Sequence, residues 1–307
     1  MKKTVNENIK RIREAVENDK LVVFIGSGVS SNSDLPSWSG LIRDFSESMG
    51  LSVKKELGVD DYLRIAQYFY NERGLKEYYD CINNKFSRKV TYNKIHENIL
   101  SLNPAHIVTT NYDDLIEQAI EDSQLVFDVV CEDIDLPYTP NGRLLIKMHG
   151  DLKRKNIVLK EDDYLLYSQR FKLIETFIKS LFVNHVVLFI GYSLQDMDLK
   201  LIMKWVKDIL GEHFQRAYFL DADEEEKGQV EINYFKNLGV NIINKFMIDE
   251  EYQNMIVEGL KSQKGKNIVR CINYIMNFEN NPVDIIDYFF NRLSIFKDLH
   301  RLRLKDI

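Results

Sequence analysis

The chain has 307 residues, 45% of them hydrophobic and 29% charged, which suits a globular fold with a sizeable core. Its formal net charge of −6, with no basic stripe, leaves no electrostatic footprint for nucleic acid, and no apolar run approaches the length needed to span a bilayer. Cys81, Cys131 and Cys271 are widely separated and form no CxxC pair, which points to a reducing, cytoplasmic setting.

In chain order, Val5, Ile9, Ile12, Ala15 and Val16 predict an amphipathic first helix. Short apolar runs then recur near 21–25, 105–109, 126–130, 144–148, 186–190, 216–220 and 240–244. Several are Val/Ile-rich and nearly continuous, as strands are when both faces of a parallel sheet are covered. Alternating with helical patterns, they predict an α/β fold, a doubly wound, mostly parallel Rossmann-like sheet. Two helical insertions are expected beside it, at about 45–100 and 161–184, the first with an aromatic-rich face read as core (Tyr62, Ile65, Ala66, Tyr68, Phe69, Tyr70). SQKGK, starting at Ser262, reads as a linker, so the expected division is a domain over 1–262 and a helical extension over 263–307, read either as a cap or oligomerisation element or as the start of a larger region.

Four runs end in polar residues where a strand should stop. A doubly wound sheet lines up the carboxyl ends of its strands, so these separated residues can meet one ligand. Gly26-Ser27-Gly28 ends the first run, and a Gly-x-Gly turn lets backbone approach a pyrophosphate without a Cβ in the way. Ser31 stands where a dehydrogenase fingerprint has its third glycine, and GxxxxGK[ST] spacing is missing. Thr109, Thr110, Asn111 and Asp113 follow the second run, where helix capping accounts for at least one of them. His149-Gly150-Asp151 follows the fourth run; a histidine at a strand's mouth can serve as a base, and the glycine leaves room for a substrate. The other histidines, His96, His106, His185, His213 and His300, make no ligand spacing, so no metal is expected. Trp38 fits either a lid beyond the glycine-rich loop or core, and the acidic run Asp221–Glu226 reads as the first turn of a helix.

In order, GSGVS, TTNYD, KMHGD and FIGYS resemble the sirtuin (SIR2) family motifs GAGxS, TQNxD, HG and GxS over roughly residues 20–245. The resemblance implies a site for NAD, bound as substrate. Gly26, Ser27, Gly28 and Ser30 match the glycine-rich loop, Thr110, Asn111 and Asp113 the middle motif, His149 the catalytic histidine, and Gly191 and Ser193 the later nucleotide turn. Asp221 is placed at the adenosine end. Departures from deacylases are clear: Thr110 replaces glutamine, and no cysteine follows His149 before Cys271, so the zinc-binding pairs are missing. The wording instead is similar to SIR2-like domains of bacterial antiphage systems. That implies an NAD⁺ hydrolase that depletes NAD, with Asn111 and His149 catalytic, a homo-oligomer (tetramer favoured), and a phage-protein trigger or attached sensor domain. The alternatives are a sirtuin-like deacylase or ADP-ribosyltransferase, and a non-catalytic module that senses NAD or ADP-ribose.

Overall fold

The computed structural model describes residues 2–35, 38–51, 58–86, 89–192, 203–208, 211 and 217–278. Ser193, His213, His300, the side chain of Trp38 and the helical extension beyond 278 lie outside them. Seven strands are found where apolar runs predicted them, with ends shifted by a residue or two: β1 Leu21–Ile25, β2 His106–Thr109, β3 Asp128–Val130, β4 Leu144–Lys147, β5 Val186–Ile190, β6 Ala217–Asp221 and β7 Val240–Asn244. They form one sheet of order β3-β4-β2-β1-β5-β6-β7, and every pairing is parallel.

The central strand β1 is buried along its whole length, so both faces of the sheet are covered. On one face Val22, Phe24, Val187, Phe189 and Phe219 pack against Ile174, Ile178, Leu181 and Phe182 of the helix Lys172–Asn184. Toward the other, the helix Lys2–Glu17 touches β1 and β5 and buries Ile9 and Ile12. From β1 the chain steps to β2, then to the edge strand β3 and back to β4 between them, before crossing to β5, β6 and β7 on the other side. The reversal falls at β1, where a ligand crevice forms in such sheets.

Both insertions are helical. The first comprises Trp38–Ser48, Val59–Phe86 and Lys94–Ser101, with a break at Gly74, whose φ of 77° lies outside the helical region. Its aromatic face is mostly core: Ile65, Ala66 and Phe69 are buried, and Phe69 stacks on Phe45 at 4.3 Å, whereas Tyr68 is half exposed. The second comprises Glu161–Leu165, Tyr167–Arg170 and Lys172–Asn184. Asp221 ends β6, and the next helix starts only at Gln229 behind Gly228, so the acidic run is loop and not a first helical turn. The division expected at 262/263 falls ahead of a packed helix, Gln263–Asn277. The larger compact unit runs through Met276, and Asn277–Ile307 is a second unit.

Candidate functional site

Register brings the four segments together. Ile25 lies opposite Thr109 on one side and Ile190 on the other, and Thr109 lies opposite Lys147. Gly26, Thr110, Met148 and Gly191 therefore leave the sheet at one level on four adjacent strands. Phe189 lies opposite Phe219, which puts Asp221 at the level of Gly191 one strand further out.

After Gly26 the chain makes a short helical turn, Ser27–Ser30, and a 3-10 turn, Ser31–Ser33. The Gly26 N–H donates to Ile190 O and the Gly28 N–H to Gly191 O, both at 2.9 Å. A Cβ on Gly26 would lie 2.6 Å from Gly191 O, and one on Gly28 2.7 Å from the same atom. Gly191 itself has φ +76°, and a Cβ there would meet Val29 Cγ2 at 2.6 Å. The glycines are thus required by two backbone turns packed on each other. Space for a pyrophosphate, the reason read from sequence, is not what their missing Cβ atoms supply. Ser27 is exposed and Thr110 half-buried, its N–H reaching Ile25 O at 3.3 Å.

Asn111 is buried, and its Nδ2 donates to Ser30 Oγ at 2.9 Å and to Gly26 O at 3.3 Å. Its backbone N–H donates to Thr109 Oγ1, whose hydroxyl in turn donates to Ile25 O. Asn111 Oδ1 is buried with no hydrogen-bond partner. Ser30 also hydrogen-bonds the carboxyl of Asp113. Burial pushes that carboxyl up from its usual range, while Ser30 and the Leu115 N–H pull it back.

His149 is buried just beyond β4, with Tyr164 edge-on at 5.6 Å between ring centroids and its carbonyl accepting from Val158 N–H at 2.8 Å. A cleft of about 410 Å³ opens on it, lined also by Met148, Tyr164, Tyr167, Phe182 and Trp205. Gly150 has φ +80°, and a Cβ there would overlap Asn156 O, so a neighbouring loop and not a substrate fills the space the sequence reading reserved. A second cavity, of about 610 Å³, is lined by Leu35, Phe86, Tyr112, Asp113, Gln118 and Leu152. Asn111 lines neither cavity.

Sequence reasoning missed Lys147. Its ammonium is fully buried between the two loops and donates to Glu117 Oε1 (2.7 Å), Asp151 Oδ2 (2.5 Å) and Asp113 O (2.7 Å). Burial works against this charge, but Glu117 and Asp151 outweigh it and the Lys147 pKa is raised. The visible signal was a lysine closing the apolar run Leu144-Leu145-Ile146. At the outer edge Asp221 is buried and its carboxyl pushed up by burial, with Lys227 3.6 Å away. Among the described residues no group of three or more His, Cys, Asp or Glu gathers as metal ligands, and burial pushes the Cys131 and Cys271 thiols up to about 12. Nor is any described helix long and apolar enough to cross a membrane.

Residues 105–243 match the SIR2-like domain family. The chain is 34% identical to Defense-associated sirtuin 2 of Bacillus subtilis over 99% of its own length and 30% of that protein. It is also 34% identical to the NAD(+) hydrolase ThsA of Bacillus cereus (strain MSX-D12), over 71% of its length and 46% of that protein. The chain thus spans less than half the length of these relatives. A crystal structure of a SIR2 homolog–NAD complex superposes with a TM-score of 0.51 at 13% identity, covering 88% of this chain and 93% of that one, a likeness of fold.

Proposed function

We propose that this chain, which carries a SIR2-like domain, hydrolyses NAD⁺ to ADP-ribose and nicotinamide and serves as an NAD-depleting effector in bacterial antiphage defence. The observation that carries this reading is the orphaned Asn111 Oδ1. A buried acceptor left unpaired costs about 1–3 kcal/mol, so one held in place by Ser30 and Gly26 is an outlay that a ligand O–H recovers. A ribose hydroxyl or the attacking water supplies such a donor.

Nicotinamide is a cationic leaving group in NAD⁺, so its bond to C1′ breaks toward an oxocarbenium-like state with little acid assistance. Asn111 holds the ribose hydroxyl or the water, and His149 accepts the proton as the water oxygen bonds to C1′. Nicotinamide leaves neutral, and one proton is released per NAD⁺ consumed. In this reading Gly26, Ser27, Gly28, Ser30 and Gly191 shape the nucleotide-binding turns, Thr110 and Asp113 support Asn111, and Asp221 stands toward the adenosine. The names of the relatives support the NAD chemistry and the defence role. A cytoplasmic homo-oligomer, tetramer favoured, answering to a phage protein or an attached sensor region, completes the proposal.

The test is release of nicotinamide and ADP-ribose from NAD⁺ by the purified chain over a range of protein concentrations, beside Asn111→Ala and His149→Ala. Equimolar products from the unmutated chain, falling about 10²-fold or more in each variant, are expected. NAD binding without product at any concentration would replace hydrolysis with a sensing role. Variants as fast as the parent would overturn the residue assignments.

A further inference from the structure

The glycine-rich loop is gripped from a distant part of the sequence. Ser262 Oγ donates to Asn32 Oδ1 at 2.5 Å, and Asn32 Nδ2 donates to Gly28 O at 2.9 Å. Ser262 Oγ also accepts the N–H of Gly265 at 2.9 Å, which ties this contact to the first turn of the helix Gln263–Asn277. Gly265 is buried there, and a Cβ on it would overlap Asn32 Oδ1 and meet Ser262 Oγ at 3.1 Å. The glycine that made this stretch read as a linker is therefore a close-approach position.

The same turn also holds the loop after β6. Asn267, fully buried, donates from Nδ2 to Ala222 O at 3.1 Å, and Lys264 pairs with Asp223 at 2.8 Å. One helical turn thus contacts the loops that follow β1 and β6. Gly191 holds the start of the first loop through Gly28, and Asn93 holds Val29 O and Ser33 Oγ, both at 2.9 Å. Toward the helix Gln263–Asn277 the loop is joined through the part-buried contact on Asn32 and, just before Ser262, through the exposed Lys261–Asp34 ion pair at 2.7 Å. That helix ends at the boundary of the larger unit, which runs through Met276.

We propose that Ser262 and Gly265 act through Asn32 as a positioning latch on the Gly26–Asp34 loop, so that a displacement of the helix Gln263–Asn277 changes NAD binding. The proposal rests on the reading of this loop as the NAD side of the site. The latch fixes the loop's shape and takes no part in bond breaking, so its loss lowers the fraction of molecules competent to bind and leaves the chemical step in place.

The experiment compares the full chain with Gly265→Ala, Asn32→Ala, the double variant and the milder Ser262→Ala. It measures KM and kcat for NAD⁺, the melting midpoint, and hydrogen exchange of the Gly28–Asn32 amides. Each single variant is expected to raise KM about 3- to 10-fold with kcat changed less than about 2-fold, and to speed exchange in the loop. Because Asn32→Ala removes the atom that the new Cβ meets, the double variant should be no worse than Asn32→Ala alone. Unchanged KM and exchange, multiplicative effects in the double variant, or a matching fall in kcat would each overturn the latch. If the unmutated chain releases no nicotinamide, the hydrolase reading fails separately, and the latch is still decided by loop exchange, which needs no NAD.

Discussion

Replacing Lys147 by methionine tests the buried charge cluster between the two loops. Methionine keeps an unbranched stem of similar bulk, so little cavity is created, but the cation is lost. The ammonium is 0% exposed, while the side chains of Glu117 and Asp151 are 17% and 8% exposed. Removing it leaves two carboxylates in a dry site, with Glu117 Oε2 already buried and unpartnered. Breaking a buried pair in this way costs about 3–5 kcal/mol. At roughly 2–4 °C per kcal/mol for a unit of this size, the melting midpoint should fall by about 6–20 °C. Lys153→Met is the matched control, because its pair with Asp114 is 75% and 40% exposed; it should cost less than about 1 kcal/mol. Adding Glu117→Gln to Lys147→Met should restore part of the loss by removing one buried charge. Urea and thermal unfolding of all four proteins decide the matter. If Lys147→Met unfolds within about 1 kcal/mol of the Lys153 control, the argument from the buried cluster is refuted.

Three further outcomes are expected. Burial lowers the pKa of His96 to about 4, and its Nδ1 accepts the Asn93 N–H, so the folded protein keeps it neutral. As pH falls below about 6.5 the unfolded chain takes up a proton that the native chain refuses until about 4, so roughly 3 kcal/mol of stability should drain away across that window. The urea midpoint against pH should show this slope and lose part of it in His96→Gln; a flat profile in the parent would contradict it. Gly191→Ala forces a side chain into the left-handed region against Val29, at about 1–2 kcal/mol of backbone strain before the contact is counted, and product release should drop with it. Ser30→Ala removes the acceptor for Asn111 Nδ2 and should lower kcat about 10-fold, with the unfolding midpoint as control.

The strands were legible because each is an apolar run bounded by polar residues, and burial of both faces erases the alternation that would have marked a half-exposed sheet. Their order was not, since nothing local in Asp128–Val130 says that β3 lies outside β4. The site was legible as motifs and illegible as contacts. A glycine announces that no Cβ is tolerated, but not what stands in its place; at Gly26 and Gly28 it is the Gly191 backbone, at Gly150 the Asn156 carbonyl, at Gly265 the Asn32 amide. Charge misled for a similar reason. The run after Asp221 suits a helix N-terminus, yet Asp223 is taken by Lys227 and Lys264, and the helix waits for Gly228. Lys147 escaped notice because a lysine at a strand end is normally solvated. Its partners Glu117, distant in sequence, and Asp151, one loop residue past Gly150, make it a buried one.

The orientation of the Asn111 amide follows from its neighbours' chemistry. Gly26 O is a backbone carbonyl and can only accept, so the group facing it must be the NH₂. In that orientation Ser30 Oγ accepts from Asn111 Nδ2, and the single Ser30 hydroxyl proton is left for the Asp113 carboxyl, to which it hydrogen-bonds. A flipped amide would set its oxygen against Gly26 O and compete with Asp113 for the Ser30 proton. Two partners therefore fix the same choice, and Asn111 presents Oδ1, an acceptor, as its unused end. An acceptor calls for an O–H. Phosphate oxygens offer none at neutral pH, and the Gly26 and Gly28 N–H groups that might have held a phosphate are already bonded to Ile190 and Gly191. At this corner the geometry calls for a hydroxyl or a water, which on the proposed reading is the sugar or the attacking water and not the pyrophosphate.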